Sequence, residues 1–299
     1  MKINYSQEVQ TALNDCKPVL ALESTIIAQG MPYPKNLEFA HQAESLCRNQ
    51  GVAPATVAII NGQICVGLEK NQIELISKDP LVKKFSRREL GFALSMKLHG
   101  AVTVSATMHI AHNAGIRVFA TGGIGGVHRG VENTLDISED LSALGSIPMI
   151  VVSAGAKAIL DIGRTLEYME TAGVTVVGYK TNEFPSFYSR RSGFQGIYQV
   201  DSAETIANIH QENLECGLDS ALLVANPIQE KDEIPAQDID AIITSACSKA
   251  LENNISGKKL TPYLLAEIVR KTDGRSLDSN RALALNNVTL GAEISLKAY

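Results

Sequence analysis

Short, continuous apolar runs alternate with longer amphipathic segments along most of the chain. Residues 18–22 (PVLAL), 118–120, 149–152, 174–178 and 220–224 are apolar at nearly every position, which predicts strands buried on both faces. Between them, the spacing of apolar positions predicts helices over 5–16, 36–48, 87–99, 108–114, 139–144, 158–172 and 202–216. Asn36 and Ser86 stand at helix starts, the latter with Glu89 three residues on as a capping box. Residues 56–60 and 63–67 flank Asn61-Gly62, the dipeptide of a tight hairpin, and 101–106 reads as a further strand. Residues 71–77 fit either a third strand or a short helix, and 182–196 reads as a long, aromatic-rich loop. Beyond Pro235 only helices are predicted, over 236–253, 261–272 and 275–297. This alternation implies an α/β fold with a central mixed, mainly parallel sheet, a small hairpin appendage and a helical C-terminal region. No linker, internal repeat or low-complexity stretch divides residues 1–299, so a single domain is expected.

Composition narrows the function classes. A hydrophobic fraction of 45% and a charged fraction of 20% are ordinary for a globular protein. The net charge of −5, with no basic cluster denser than Lys83-Lys84 and Arg87-Arg88, gives no reason to expect nucleic acid or an anionic membrane as partner. A small anionic ligand needs only local positive charge and stays open. The five cysteines are scattered, odd in number and free of any CxxC pair, which argues against a disulfide framework and a thiolate zinc site. The N-terminal segment has no h-region, and no apolar stretch nears the ~18 residues of a membrane span. A soluble, cytoplasmic protein is expected.

Chemistry concentrates between Arg117 and Asp161. Gly122-Gly123-Ile124-Gly125-Gly126 follows one buried run and Ser153-Ala154-Gly155-Ala156 another. Open α/β sheets place ligands at such strand ends, and these carry His128, Arg129, Asp136, Asp140 and Lys157. Lys157, with only small neighbours before it, leaves room for a substrate carbon beside its amine. A desolvated lysine is the usual nucleophile for imine formation; a surface lysine in the first turn of the next helix is the other reading. Glu23 directly follows PVLAL, where poor solvation favours the proton-carrying form of a general acid. Alone it fits a helix cap or salt bridge equally well. Strand ends of a parallel sheet share one edge, however, and the pair points to catalysis more strongly than either residue does. Asp136 and Asp140 offer oxygen ligands suited to Mg or Mn, or else helix caps. His109 and His112 share one helix face without a third ligand and fit a packing role. The glycine loop matches neither the dinucleotide fingerprint nor the P-loop, and offers backbone N–H groups to an anion or ring edge. Lys84, Arg87 and Arg88 offer charge to a phosphate, or form a solvated helix start.

Glu23-Ser24-Thr25-Ile26-Ile27 with Gly30-Met31-Pro32, Ser86-Arg87-Arg88, FATGGIGGVHRG, Asp136-Ile137-Ser138 with Asp140-Leu141, Ala154-Gly155-Ala156-Lys157, Val224-Ala225-Asn226-Pro227-Ile228 and Ser279-Asn280 together resemble the pseudouridine-5′-phosphate glycosidase family, which includes indigoidine synthase A. The resemblance covers nearly the whole chain; Glu139 falls in a position expected to vary. It implies an α/β/α sandwich, a homotrimer, and reversible hydrolysis of pseudouridine 5′-phosphate to uracil and ribose 5-phosphate. The bond broken is carbon–carbon, so protonating a leaving heteroatom, as two-carboxylate glycosidases do, is not available. By the resemblance, Lys157 is the nucleophile, forming an iminium at C1′ of the opened ribose, and Glu23 the proton donor. Asp136 is implied to hold a divalent ion, expected to be Mn²⁺. Lys84, the backbone at Val104, and Ser138, Glu139 and Asp140 are implied to bind substrate, with His128 and Asn280 as further contacts. Two other readings compete. A class I aldolase-like enzyme on a (β/α) barrel shares the strand-end lysine, but the hairpin and helical tail leave too few βα units. A non-catalytic sugar-phosphate binding module needs the glycine loop, yet not Glu23 and Lys157 together.

Overall fold

The computed structural model describes every residue except Asn254, Ser256, Lys258 and Lys259. The apolar runs join one mixed sheet whose strands are β1 (Ile3–Tyr5), β2 (Val19–Leu22), β3 (Ala53–Ile60), β4 (Gln63–Val66), β5 (Lys83–Phe85), β6 (Gly100–Val102), β7 (Val118–Ala120), β8 (Ile150–Ser153), β9 (Thr175–Tyr179), β10 (Tyr198–Val200) and β11 (Leu222–Ala225). Strand β3 joins its two parts. Its first half pairs in parallel with β2, Ala53 opposite Val19, and its second half pairs antiparallel with β4 and β6. From β3 a parallel run continues in the order β2-β7-β8-β11-β9-β10. Helices surround this mixed, mainly parallel sheet, so the α/β architecture expected from the pattern is the observed one. Asn61 and Gly62 take φ of +49° and +71°, both left-handed, which closes the β3–β4 hairpin in two residues.

The strand order matters for function. From β2 the chain moves outward to β3, then returns to lay β7 on the other flank of β2. The carboxyl ends of β2 and β7 therefore diverge at a topological switch point, where a crevice opens. Strands β2, β7, β8 and β11 are wholly buried, and the long helix Arg275–Ala298 packs across β2, β7 and β8.

Several boundaries differ from the pattern. β1 and β5 are additional three-residue strands at the sheet margins, too short to show any period. The segment expected as one strand over 101–106 is strand only to Val102; the helix Val104–Asn113 begins at once. Residues 71–77 fall within the helix Lys70–Lys78. The Ser86–Glu89 box forms, Ser86 N donating to Glu89 Oε2 at 3.0 Å, but opens a short turn and the helix Leu90–Ser95. Asn36 lies inside the helix Lys35–Asn49 rather than capping it. Its buried amide instead donates to the carbonyls of Ile27 (2.8 Å) and Ser77 (2.9 Å).

One buried group outside the site carries a pH signature. His210, 5% exposed on the helix Ala203–Glu215, is pushed down to about 4 by burial and by the nearby Arg117 and His112. The unfolded chain then binds the extra proton first, so stability is full above the ordinary value of 6.5 and is lost as pH falls towards 4. His210→Gln is expected to flatten the fall in urea midpoint between those limits; an unchanged slope would show that other groups set it.

Candidate active site

Glu23 follows the last residue of β2 and is only 6% exposed. A carboxyl there needs polar partners, and the hydroxyls of Thr25 and Thr121 supply them, one to each oxygen. Thr121 follows β7 and extends the ladder, its amide donating to Val152 O at 3.0 Å. Pairing continues past both strands: Ala154 N to Gly122 O (2.9 Å), Ile124 N to Gly155 O (3.0 Å), Lys157 N to Ile124 O (3.1 Å). These bonds hold Lys157, half-buried, just past the bridge between Ile124 and Ala156, where a turn begins that Leu160 N closes on its carbonyl at 3.0 Å. The following helix begins only at Ile162, capped by Asp161, whose Oδ1 accepts from Arg164 N at 3.0 Å. Lys157 is thus no first-turn helix residue.

Asp140 ties the opposite wall together. Its Oδ1 accepts from Ser105 N at 3.0 Å and its Oδ2 from Gly125 N at 2.8 Å. It joins the start of the helix Val104–Asn113 to the glycine loop, with both carboxylate oxygens engaged by backbone. Ser138 caps the helix Glu139–Leu144, its hydroxyl accepting from Asp140 N. Glu139 pairs with Arg87 at 3.2 Å, which turns that arginine to bracing the wall.

The cavity so framed has two lobes that share Glu23, Thr25, Lys84, Lys157 and Thr261. The larger lobe is the more polar of the two, walled by Thr103, Val104, His128, Asp136, Ser138 and Arg88, with Glu139 and Asp140 also bordering it. The smaller is walled by Gly122, Gly123, Phe187, Pro262, Leu265 and Asn280. Every residue that the family resemblance implied for the site therefore lines one lobe or both, Asn280 the smaller alone, whereas Arg87 borders neither. His128 N donates to Asp136 O at 3.0 Å. Burial pushes the His128 imidazole below its ordinary value, Asp136 opposing and the Lys157 and Lys84 charges reinforcing the effect. The neutral imidazole and the lysines thus share one electrostatic field. Arg129 donates to Ala158 O at 3.5 Å and borders neither lobe. His109 is half-buried and His112 exposed, so the expected packing role does not extend to His112.

Among the described residues, no group of three His, Cys, Asp or Glu side chains forms a metal cage. Asp136 is half-buried on the larger lobe, and its carboxylate accepts no hydrogen bond from the described residues. With Asp140 engaged by backbone, a single free carboxylate suits a hard ion that keeps its waters and takes substrate oxygens, not a structural zinc. The pattern did not single out Thr103, Thr121, Thr261 or Phe187. Thr121 adjoins the glycine loop in sequence, the one available hint; Phe187 lies within a stretch read as irregular.

A parallel sheet with a lysine and a buried carboxyl at strand ends beside a switch point defines an α/β protein with a small-molecule site at the sheet's carboxyl edge. The family model described as indigoidine synthase A like protein matches residues 8–297, and the chain belongs to that family. It is 49% identical over 294 residues to a pseudouridine-5′-phosphate glycosidase of Methylobacterium nodulans, covering 98% of this chain and 87% of the relative. It is 48% identical over 294 residues to one of Staphylococcus aureus, covering 98% and 96%. The crystal structure of the prealnumycin C-glycosynthase AlnA in complex with ribulose 5-phosphate superposes with a TM-score of 0.91 at 36% identity, covering 99% of this chain and 96% of that one.

Proposed function

We propose that the protein cleaves the C–C glycosidic bond of pseudouridine 5′-phosphate, giving uracil and ribose 5-phosphate. The observation that carries this reading is the placing of Lys157 and Glu23 where the lobes meet. A substrate with an anionic sugar at one end and a flat base at the other then has its joining bond beside both groups. The larger lobe, with Lys84 and the helix start at Val104, suits a phosphate, and the smaller, faced by Phe187 and Asn280, suits a base. In this reading the Lys157 amine bonds to C1′ while the ring oxygen leaves with the Glu23 proton. The C1′–C5 bond then breaks, its electron pair going to uracil, which takes at C5 the proton that the lysine nitrogen passed to Glu23 on bonding to carbon. Water adds to the resulting iminium and releases the sugar aldehyde and the lysine. A curated family name shared at nearly half identity and a structural relative holding a sugar phosphate support this reading.

We further infer that Asp136 holds a divalent ion, by the resemblance Mn²⁺, which when bound supplies positive charge for the sugar-phosphate oxygens. The test is release of uracil from pseudouridine 5′-phosphate, followed by chromatography with and without Mn²⁺. Turnover is expected with the ion. Asp136→Asn is expected to lose about tenfold or more in ion affinity, read by the Mn²⁺ electron-spin signal. No uracil at any Mn²⁺ concentration would overturn the proposed activity, and unchanged ion binding in Asp136→Asn would overturn the proposed ion site.

A further inference from the structure

Among the described residues, hydroxyls alone hold the Glu23 carboxyl: Thr121 Oγ1 donates to Oε1 and Thr25 Oγ1 to Oε2. A lysine, an arginine or a backbone N–H can only donate and would tie the group to its ionised form. A hydroxyl both donates and accepts, so it can partner a carboxyl that gives up and regains a proton. The two threonines are not equivalent. Thr121 is 4% exposed, and its carbonyl accepts from Asn287 Nδ2 at 2.8 Å. Asn287 Nδ2 also reaches Gly122 O at 3.2 Å, and its Oδ1 accepts from Asn226 Nδ2 at 3.0 Å. Asn287 is fully buried and Asn226 5% exposed. This chain of amides runs from the segment after β11, through the C-terminal helix, to the end of β7. Thr25, by contrast, is half-buried on the wall common to both lobes.

We propose that Thr121 and Thr25 are positioning residues for proton transfer by Glu23. Thr121, backed by Asn287 and Asn226, is a fixed donor that anchors Oε1. Thr25 turns with the protonation state, donating to Oε2 when the group is ionised and accepting from it when it is acid. Oε2 is thereby the oxygen that faces the cavity with the proton. In the step itself the Oε2–H bond breaks, its electron pair stays on Oε2, and the proton goes to the substrate's ring oxygen. The Lys157 nitrogen, shedding a proton as it bonds to carbon, restores the acid. The inference rests on the proposed role of Glu23.

The test compares Thr121→Val, Thr121→Ser, Thr25→Val and Glu23→Gln in turnover of pseudouridine 5′-phosphate across pH, with a thermal melt for each. Glu23→Gln is expected to lower kcat by ~10²-fold or more. Thr121→Val removes a hydrogen bond to a charged group, expected to lower kcat about tenfold or more with KM within about twofold. Its alkaline limb of kcat against pH moves upward, because a donor favouring the ionised acid is lost, and Thr121→Ser restores both values. Thr25→Val lowers kcat with a smaller displacement of that limb, and carries the test if Thr121→Val does not fold. If Glu23→Gln is inactive while the folded valine variants keep kcat within about twofold and the wild-type pH profile, this inference falls alone. If Glu23→Gln turns over normally, the acid assignment falls and this inference with it.

Discussion

Lys157→Ala is expected to lower kcat by at least ~10³-fold while leaving the melting temperature close to that of the parent protein. The separation follows from how the residue is built in. What Lys157 gives the fold is backbone: its N–H bonds to Ile124 O at 3.1 Å and its carbonyl accepts from Leu160 N at 3.0 Å. Alanine keeps both bonds. No described residue is hydrogen-bonded or ion-paired to the Lys157 amine, so its removal strands no partner. Lys157→Arg is expected to be equally inactive, because a guanidinium stays protonated and cannot act as the nucleophile. Incubation with ribose 5-phosphate and uracil plus Mn²⁺, followed by borohydride, is expected to add a ribose-phosphate mass to the Lys157 peptide of the parent protein and to neither variant. Turnover by Lys157→Arg within about tenfold of the parent would sink the imine mechanism while leaving the activity in place. A pure binding module would give no adduct in any of the three proteins.

What made Lys157 and Glu23 legible is that each follows a run buried on both faces, so local sequence already places them at strand ends. The adjacency of β2, β7 and β8 was not legible in that way. Parallel pairing such as Leu20 opposite Val118 joins segments nearly a hundred residues apart and leaves no local trace. The early start of the helix at Val104 was hidden for a related reason. Val104-Ser105-Ala106 continues an apolar run, and the carboxylate that receives the Ser105 amide belongs to Asp140, 35 residues further on. Asn36 looked like a cap because its residue type prefers that role, yet its amide joins Ile27 to Ser77 across the fold. The family resemblance brought Asn280 into the candidate list, but Phe187 beside it stayed invisible, since nothing in an irregular aromatic stretch says which ring faces a cavity.

Asp140→Ala is expected to produce the largest loss of stability of any single change in the cavity wall, roughly 3–6 kcal/mol. Two buried backbone donors, Ser105 N and Gly125 N, bond to one charged carboxylate, and alanine strands both. Bonds to charged acceptors contribute about 1.5–3 kcal/mol each, and an orphaned buried donor cannot regain the water it had when unfolded. The loop has little freedom to adapt, because Ser138 and Asp140 fill the space beside Gly125 so closely that even a Cβ there would overlap them. The negative charge at the start of the helix Val104–Asn113 also complements the positive end of its dipole, a contribution alanine removes as well. Asp140→Asn keeps one accepting oxygen but turns an NH₂ towards the second amide, so about half the penalty is expected. Since Val104 and Gly125 both wall the larger lobe, turnover should fall in the same order, parent above asparagine above alanine. Urea denaturation at neutral pH measures the first effect and uracil release the second. A loss below about 1 kcal/mol in Asp140→Ala would show that the two amides find other partners, and that the tie between helix and glycine loop is not what holds this wall in shape.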